Sequence, residues 1–136
     1  MLSEGLLNVG AIVAAIDEAL DEKVIVTGEL PPQGRDLDLL VSDEQARRLQ
    51  EILAAQGFLA RGRKVAPRRL ATQQWVRFEG SSALAVDLNP MRRWNLPPAE
   101  EHALMAEAVP IEGFRHLARP SSHHVILILL RRLAAG

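Results

Sequence analysis

Gly34-Arg35-Asp36-Leu37-Asp38-Leu39-Leu40-Val41 carries two carboxylates inside a run that alternates like a strand. Leu37, Leu39 and Val41 then share one face, and Asp36, Asp38 and Leu40 the other. At a rise of roughly 3.3 Å per residue the two aspartates stand about 7 Å apart at Cα, close enough for both to lean onto one or two divalent cations. Asp-x-Asp is short and common, so on its own a solvated acidic edge strand is the simpler account. The neighbouring chain shifts that balance.

Upstream, Lys23-Val24-Ile25-Val26-Thr27-Gly28 is a β-branched run that reads as a buried strand. Glu29-Leu30-Pro31-Pro32-Gln33-Gly34 follows as a loop, because prolines lack the N–H a helix or central strand needs. Before both, Leu2, Leu6, Val9, Val13, Ile16 and Leu20 form one helical stripe. Gly5 and Gly10 weaken its first half, so the firm helix is expected from near Asn8. Asp17, Glu18, Asp21 and Glu22 crowd its C-terminal end against the helix dipole and read as a solvated acidic face.

Downstream, Ser42 and Gln45 make a capping box for a helix striped by Ala46, Leu49, Ile52 and Leu53. Gly57 supplies its left-handed stop, and Phe58 folds back on Leu53. Arg61, Arg63, Lys64, Arg68 and Arg69 then cluster in an aperiodic loop, either merely solvated or a landing strip for phosphates. Gln73 to Glu79 reads as a strand with Val76 and Phe78 inward and Trp75, Arg77 and Glu79 on the other face. After a Gly80-Ser81-Ser82 turn, Ala83 to Leu88 returns with Leu84, Val86 and Leu88 together and Ala83, Ala85 and Asp87 opposite. A helix from Ala99 to Val109 stops at Pro110, and Phe114 to Leu117 suggests a short strand. The last helix, His123 to Ala134, is apolar all round and is expected to be buried on every side or to cover a partner.

Composition sets wide limits. A chain of 136 residues, 48% hydrophobic and 24% charged, has the length and balance of one globular domain. A formal net charge of -1 supplies no global attraction to nucleic acid or membrane. No cysteine is present, which removes disulfides and thiolate metal sites. The longest apolar run, Val125 to Leu130, falls far short of the ~20 residues a membrane helix needs. With an acidic N-terminal region in place of a basic leader, the reading is a cytoplasmic protein. His123 and His124 are adjacent, about 100° apart on a helix, and read as helix surface, not as joint ligands of one metal. His102 and His116 are isolated, and Trp75 and Trp94 read as packing groups.

Three acids therefore stand out, Asp36, Asp38 and Asp87. Strand–Gly28–loop–Asp36-x-Asp38, then helix, hairpin and Asp87, resembles the polymerase-beta-type nucleotidyltransferase superfamily over about Asn8 to Leu88. Leu117 to Pro120 and the helix after it are similar to the closing elements of small bacterial-type members. The resemblance implies an α/β fold of α+β type: a small mixed, mainly antiparallel twisted sheet with helices packed on one face, spanning 1–136 as one domain. It implies transfer of a nucleoside monophosphate from a nucleoside triphosphate to a hydroxyl, with Mg²⁺ or Mn²⁺ held by Asp36, Asp38 and Asp87. Asp87 would complete the catalytic metal site and help activate the hydroxyl, which could belong to a small molecule, a protein or an RNA end. Family members place Gly-Ser or Gly-Gly and a short helix after the first strand to hold phosphates. Here Glu29 and Pro31-Pro32 follow Gly28, so phosphate binding falls to Gly28 with Arg35, Arg63, Lys64 and Arg77. The alternative implied by the same loop is a catalytically silent nucleotidyltransferase-fold domain used for binding or assembly. The helix at 123–134 adds either a homo-oligomer contact or a junction to a missing C-terminal domain.

Overall fold

A computed structural model describes residues 8–31, 36–61 and 73–135. In chain order the elements are α1 (Val9–Ala19), β1 (Val24–Val26), β2 (Asp36–Val41), α2 (Asp43–Ala55), β3 (Leu59–Arg61), β4 (Gln73–Glu79) and β5 (Ser82–Pro90). A 3₁₀ turn (Met91–Trp94), α3 (Pro98–Glu107), β6 (Val109–Pro110), β7 (Leu117–Arg119) and α4 (Ser122–Ala135) complete them. The strands join one seven-stranded sheet in the order β3-β4-β5-β2-β1-β7-β6. β2–β5 and β1–β7 are parallel pairs, and the remaining neighbours run antiparallel. The sheet is thus mixed and mainly antiparallel.

Local chemistry starts and stops the two N-terminal helices as their sequences anticipate. The Asn8 side chain accepts from Ala11 N and caps α1. Ser42 Oγ accepts from Gln45 N while Gln45 Oε1 accepts from Ser42 N, closing the capping box of α2. The Gln45 amide also donates to Lys23 O at 2.7 Å, which ties the start of α2 to the entrance of β1. Gly57 takes φ +86°, and Phe58 N reaches back to Leu53 O.

Alternation along β2 splits the core in two. Leu37, Leu39 and Val41 join Val24, Val26, Leu84, Val86 and Leu88 under Val13 and Ile16 of α1 and Leu49, Ile52 and Leu53 of α2. On the opposite face Leu40 and Ile25 pack with Leu104, Ala118, Met91 and Ile128, bringing in α3 and α4. Helices therefore cover both faces, not one as expected from the sequence. β1 and β2 carry apolar residues on both sides and need cover twice, whereas β5 is apolar chiefly on one.

Four further expectations are corrected or narrowed. β4 faces the other way: Trp75 packs toward the α1–α2 core and Phe78 is 68% exposed. Both faces of β4 carry apolar residues, and its register against β5, Trp75 opposite Val86, decides between them. α3 ends at Glu107, two residues early, because Val109 and Pro110 pair with Arg119 and Ala118. The strand expected at Phe114 to Leu117 is Leu117–Arg119. α4 is not buried on every side: Ile128 packs inward, while Ile126, Leu129, Leu130 and Leu133 are exposed.

Asp17 is not solvated. It is buried, and its carboxylate accepts three backbone N–H groups, from Arg115 at 2.7 Å, His116 at 2.7 Å and Leu117 at 2.8 Å. Burial pushes its pKa up, but these donors together with the nearby His116 outweigh it and hold the carboxyl below its ordinary value. Asp17 thus pins the entrance of β7 to the end of α1. Among the described residues no helix is long and apolar enough to cross a membrane.

Candidate functional site

Register sets the three acids on one face of the sheet. β2 and β5 run parallel with Asp38 opposite Asp87 and Asp36 opposite Ala85. Directly opposed residues on neighbouring strands stand about 4.8 Å apart, so Asp36, Asp38 and Asp87 form one half-buried patch. The parallel pairing keeps all three carboxylates on the same face, and the small Ala85 leaves space beside Asp36.

The patch lies within a polar row that crosses the sheet. Arg61 on β3 opposes Gln74 on β4, Gln74 opposes Asp87 on β5, and Asp87 opposes Asp38 on β2. Thr27 N then donates to Asp38 O from just beyond β1. Two side-chain hydrogen bonds fix one end of the row. Arg61 Nη1 donates to Gln74 Oε1 at 2.9 Å, and Gln74 Nε2 donates to Asp87 Oδ1 at 2.9 Å. The amide relays the guanidinium's donor character to Asp87, because its oxygen accepts from one neighbour while its nitrogen donates to the other.

At the other end the site is closely built. A Cβ on Gly28 would lie 3.2 Å from Asp38 Oδ2, tight enough that the carboxylate would have to shift. Gly28 O accepts from Arg119 Nη1 at 2.9 Å, which brings a cation to the strand-end turn. Thr27 Oγ1 is buried and has no hydrogen-bond partner among the described residues. Oxygen donors of this kind suit a hard divalent cation.

Asp36, Asp38 and Asp87 therefore share one face of the sheet, with Gly28 beside Asp38. Arg77 does not join them. It opposes Leu84 on the α1–α2 face, donates to Gln56 O at 3.0 Å and lies 3.9 Å from Glu79, so it braces the end of α2. Its side differs because β4 is turned over relative to the sequence reading. Arg35, Arg63 and Lys64 fall outside the described residues. Residues 27–31 after β1 contain no helix, in keeping with Glu29 and Pro31 at that point.

Thr27, Gln74 and Arg119 were not singled out from the sequence, and Arg61 was read only as part of a basic loop. Each gains its place from pairing between strands far apart in the chain, which spacing along the chain does not reveal. His123 and His124 also depart from expectation. His124 is fully buried, and the two rings sit 3.9 Å apart at their centroids, so the pair is not simply helix surface.

The chain was compared with known proteins: no family model, no curated protein and no solved structure matches it.

Proposed function

We propose that the carboxylate patch is a two-metal site for nucleotidyl transfer, moving a nucleoside monophosphate from a nucleoside triphosphate to a hydroxyl and releasing pyrophosphate. The observation that supports this most is the register that sets Asp38 opposite Asp87, with Asp36 two residues away on the same face. Asp36 and Asp38 would hold Mg²⁺ or Mn²⁺, and Asp87 would share one ion and orient the attacking hydroxyl. Two such ions, about 4 Å apart, would align and charge-stabilise the entering and leaving oxygens. Gly28 leaves the Asp38 carboxylate uncovered from the strand-end side, and Arg119 beside it offers a counter-charge for phosphate. Arg61 and Gln74 position Asp87. The acceptor class is a small molecule, a protein side chain or an RNA end.

The test is incorporation of labelled nucleotide by wild type and by Asp36→Asn/Asp38→Asn in the presence of Mg²⁺. Incorporation by wild type and loss in the variant is the expected result; equal signals would sink the proposal.

A second reading, a silent domain of the same fold used for binding or assembly, is favoured by the missing helix in residues 27–31. Without its N–H groups the turn lacks the anion nest that would hold a triphosphate, and Glu29 adds repulsion. Thermal unfolding with Mg²⁺ and each of the four common nucleoside triphosphates separates the two. A ligand at 100 times its Kd stabilises by about 2.7 kcal/mol, whereas no shift with any of them favours the silent domain.

A further inference from the structure

A second group of potential ligands lies away from the carboxylate patch, where the C-terminus of α3 meets the first turn of α4. Glu107, His123 and His124 each offer one ligand atom within 4.8 Å of the other two. Glu107 Oε1 is 3.8 Å from His123 Nδ1 and 3.9 Å from His124 Nδ1. Ser121 Oγ lies beside both rings, 3.4 Å from His123 Nδ1 and 2.8 Å from His124 Nδ1. Four polar atoms thus converge on one small volume.

The adjacent histidines can meet there because they occupy the first turn of a helix, where no preceding turn constrains their side chains. Nδ1, not Nε2, is the atom each presents. The distance from Nδ1 to the backbone is short, so two neighbouring rings reach a common point that their outer nitrogens could not.

His124 supplies the independent observation. Its side chain is wholly buried, yet Nε2 has no hydrogen-bond partner among the described residues. The nearest charged group facing that nitrogen is Glu100 on α3, with Oε2 at 3.8 Å. A ring that offers Nδ1 to a metal carries its proton on Nε2, and a carboxylate behind that N–H is the usual arrangement for a metal-bound histidine. Glu100 stands where such a group is required.

We propose that Glu107, His123 and His124 form a binding site for a borderline divalent transition-metal ion of the Zn²⁺ type, with Glu100 as the positioning residue behind His124. Imidazole with carboxylate suits this class, in contrast to the all-oxygen patch on β2 and β5. Tetrahedral coordination at Zn–N and Zn–O lengths of about 2.0–2.1 Å places ligand atoms about 3.4 Å apart. Closing from 3.8 and 3.9 Å, with all three ligand atoms within 4.8 Å of one another, needs rotation of Glu107 and His123, both exposed at the surface, and movement of Ser121 Oγ off His124 Nδ1, where it now lies at 2.8 Å. Ser121 Oγ or water fills the fourth position.

The fields of the two helices act in opposite senses here. The negative end of α3 favours a cation, although Lys23 Nζ on its carbonyls, 3.3 Å from Ala106 O and 3.0 Å from Ala108 O, offsets part of that field. The positive end of α4 opposes one. The Glu107 carboxylate, on the last residue of α3, adds the formal negative charge that tips the site toward binding. The site ties α3 to α4, two helices that otherwise meet through the apolar cluster beneath them. Metal binding would accordingly stabilise the cover over β1 and β7.

Titration of the full chain with Zn²⁺ by calorimetry, and with Co²⁺ by visible absorption, tests the site. Saturable binding of one equivalent, with the visible spectrum of four-coordinate Co²⁺ and a raised unfolding temperature, is expected. Glu107→Gln and His123→Ala change exposed residues and should weaken binding by at least about tenfold, and Glu100→Gln by about 10- to 100-fold. Asp36→Asn/Asp38→Asn should leave it unchanged, which separates this ion from any bound at the carboxylate patch. Absence of Zn²⁺ and Co²⁺ binding in the wild type would overturn the proposal. So would equal affinity in wild type, Glu107→Gln and His123→Ala, or loss of binding in the aspartate variant.

Discussion

One face of the sheet is closed and the other is only half closed. Toward α1 and α2, side chains from β1, β2, β5 and β7 interlock with two helices, and Leu37, Leu39, Leu49 and Leu53 have no exposure. Toward α3 and α4, the cover reaches Ile25, Leu40, Ala118 and their neighbours. Beyond them the cover stops at the row of Thr27, Asp38, Asp87, Gln74 and Arg61. The difference teaches where this fold keeps stability and where it gives some up. A buried strand needs two apolar faces, while an open polar row needs no cover, and β2 contributes to both within six residues.

Substitution on the closed face should show the largest effect. Leu49→Ala removes a fully buried side chain between α2 and the sheet and should cost 2–5 kcal/mol, roughly the range for such cavities. Chemical denaturation followed by circular dichroism measures it. A cost under 1 kcal/mol would mean that α2 is less firmly packed than its burial indicates, roughly the level of a tolerated volume-conserving swap.

Asp17→Asn should come next, at roughly 3 kcal/mol, because an amide cannot accept three backbone donors as a carboxylate does. The pH dependence has a definite sign. The folded pKa lies below the unfolded value near 3.8, so Asp17 contributes its full stabilisation above that value. The contribution is lost as pH falls from 3.8 through the folded pKa. Wild type should therefore lose its advantage over Asp17→Asn in that acid window, and parallel stability curves through it would contradict the assignment.

The smallest stability effect should be of the opposite sign. Asp87→Asn removes one of two carboxylates that oppose each other on neighbouring strands. Like charges so placed destabilise by roughly 0.2–1 kcal/mol, and asparagine keeps an oxygen for the Gln74 amide. Urea denaturation without Mg²⁺ should show the variant equal to or slightly more stable than wild type, with the order reversed when Mg²⁺ is added. A clear loss of stability without Mg²⁺ would make Asp87 a structural residue like Asp17 and remove the contrast between the faces.

What the sequence made legible was mostly local. Ser42, Gln45 and Gly57 mark both ends of α2 because caps are chemistry between residues three to five apart. Leu37, Leu39 and Val41 assign β2 a face by simple alternation. Asp17 was read as surface because its partners lie 98 to 100 residues away and leave no trace around it. Arg77 was drawn to the wrong face because Trp75, Val76 and Phe78 give β4 two apolar sides, and only pairing with β5 chooses between them. His124 was read as helix surface, but it is wholly buried, because α4 is turned with that side toward α3. The three aspartates were legible as a set, but their parallel geometry belongs to the sheet.

The clasp of Asp17 on residues 115–117 also bears on the order in which the chain assembles. β1 finds β2 nearby, but its second neighbour, β7, lies far downstream, beyond every other strand of the sheet. A chain emerging from its N-terminus would hold the outer edge of β1 open until Leu117–Arg119 is made, with its backbone donors unpaired. Contacts this remote in sequence slow folding, since loop-closure entropy is lost before they form. The clasp is thus expected to close after the main barrier. Asp17→Asn should then act chiefly by speeding unfolding, leaving the refolding rate near wild type in stopped-flow measurements.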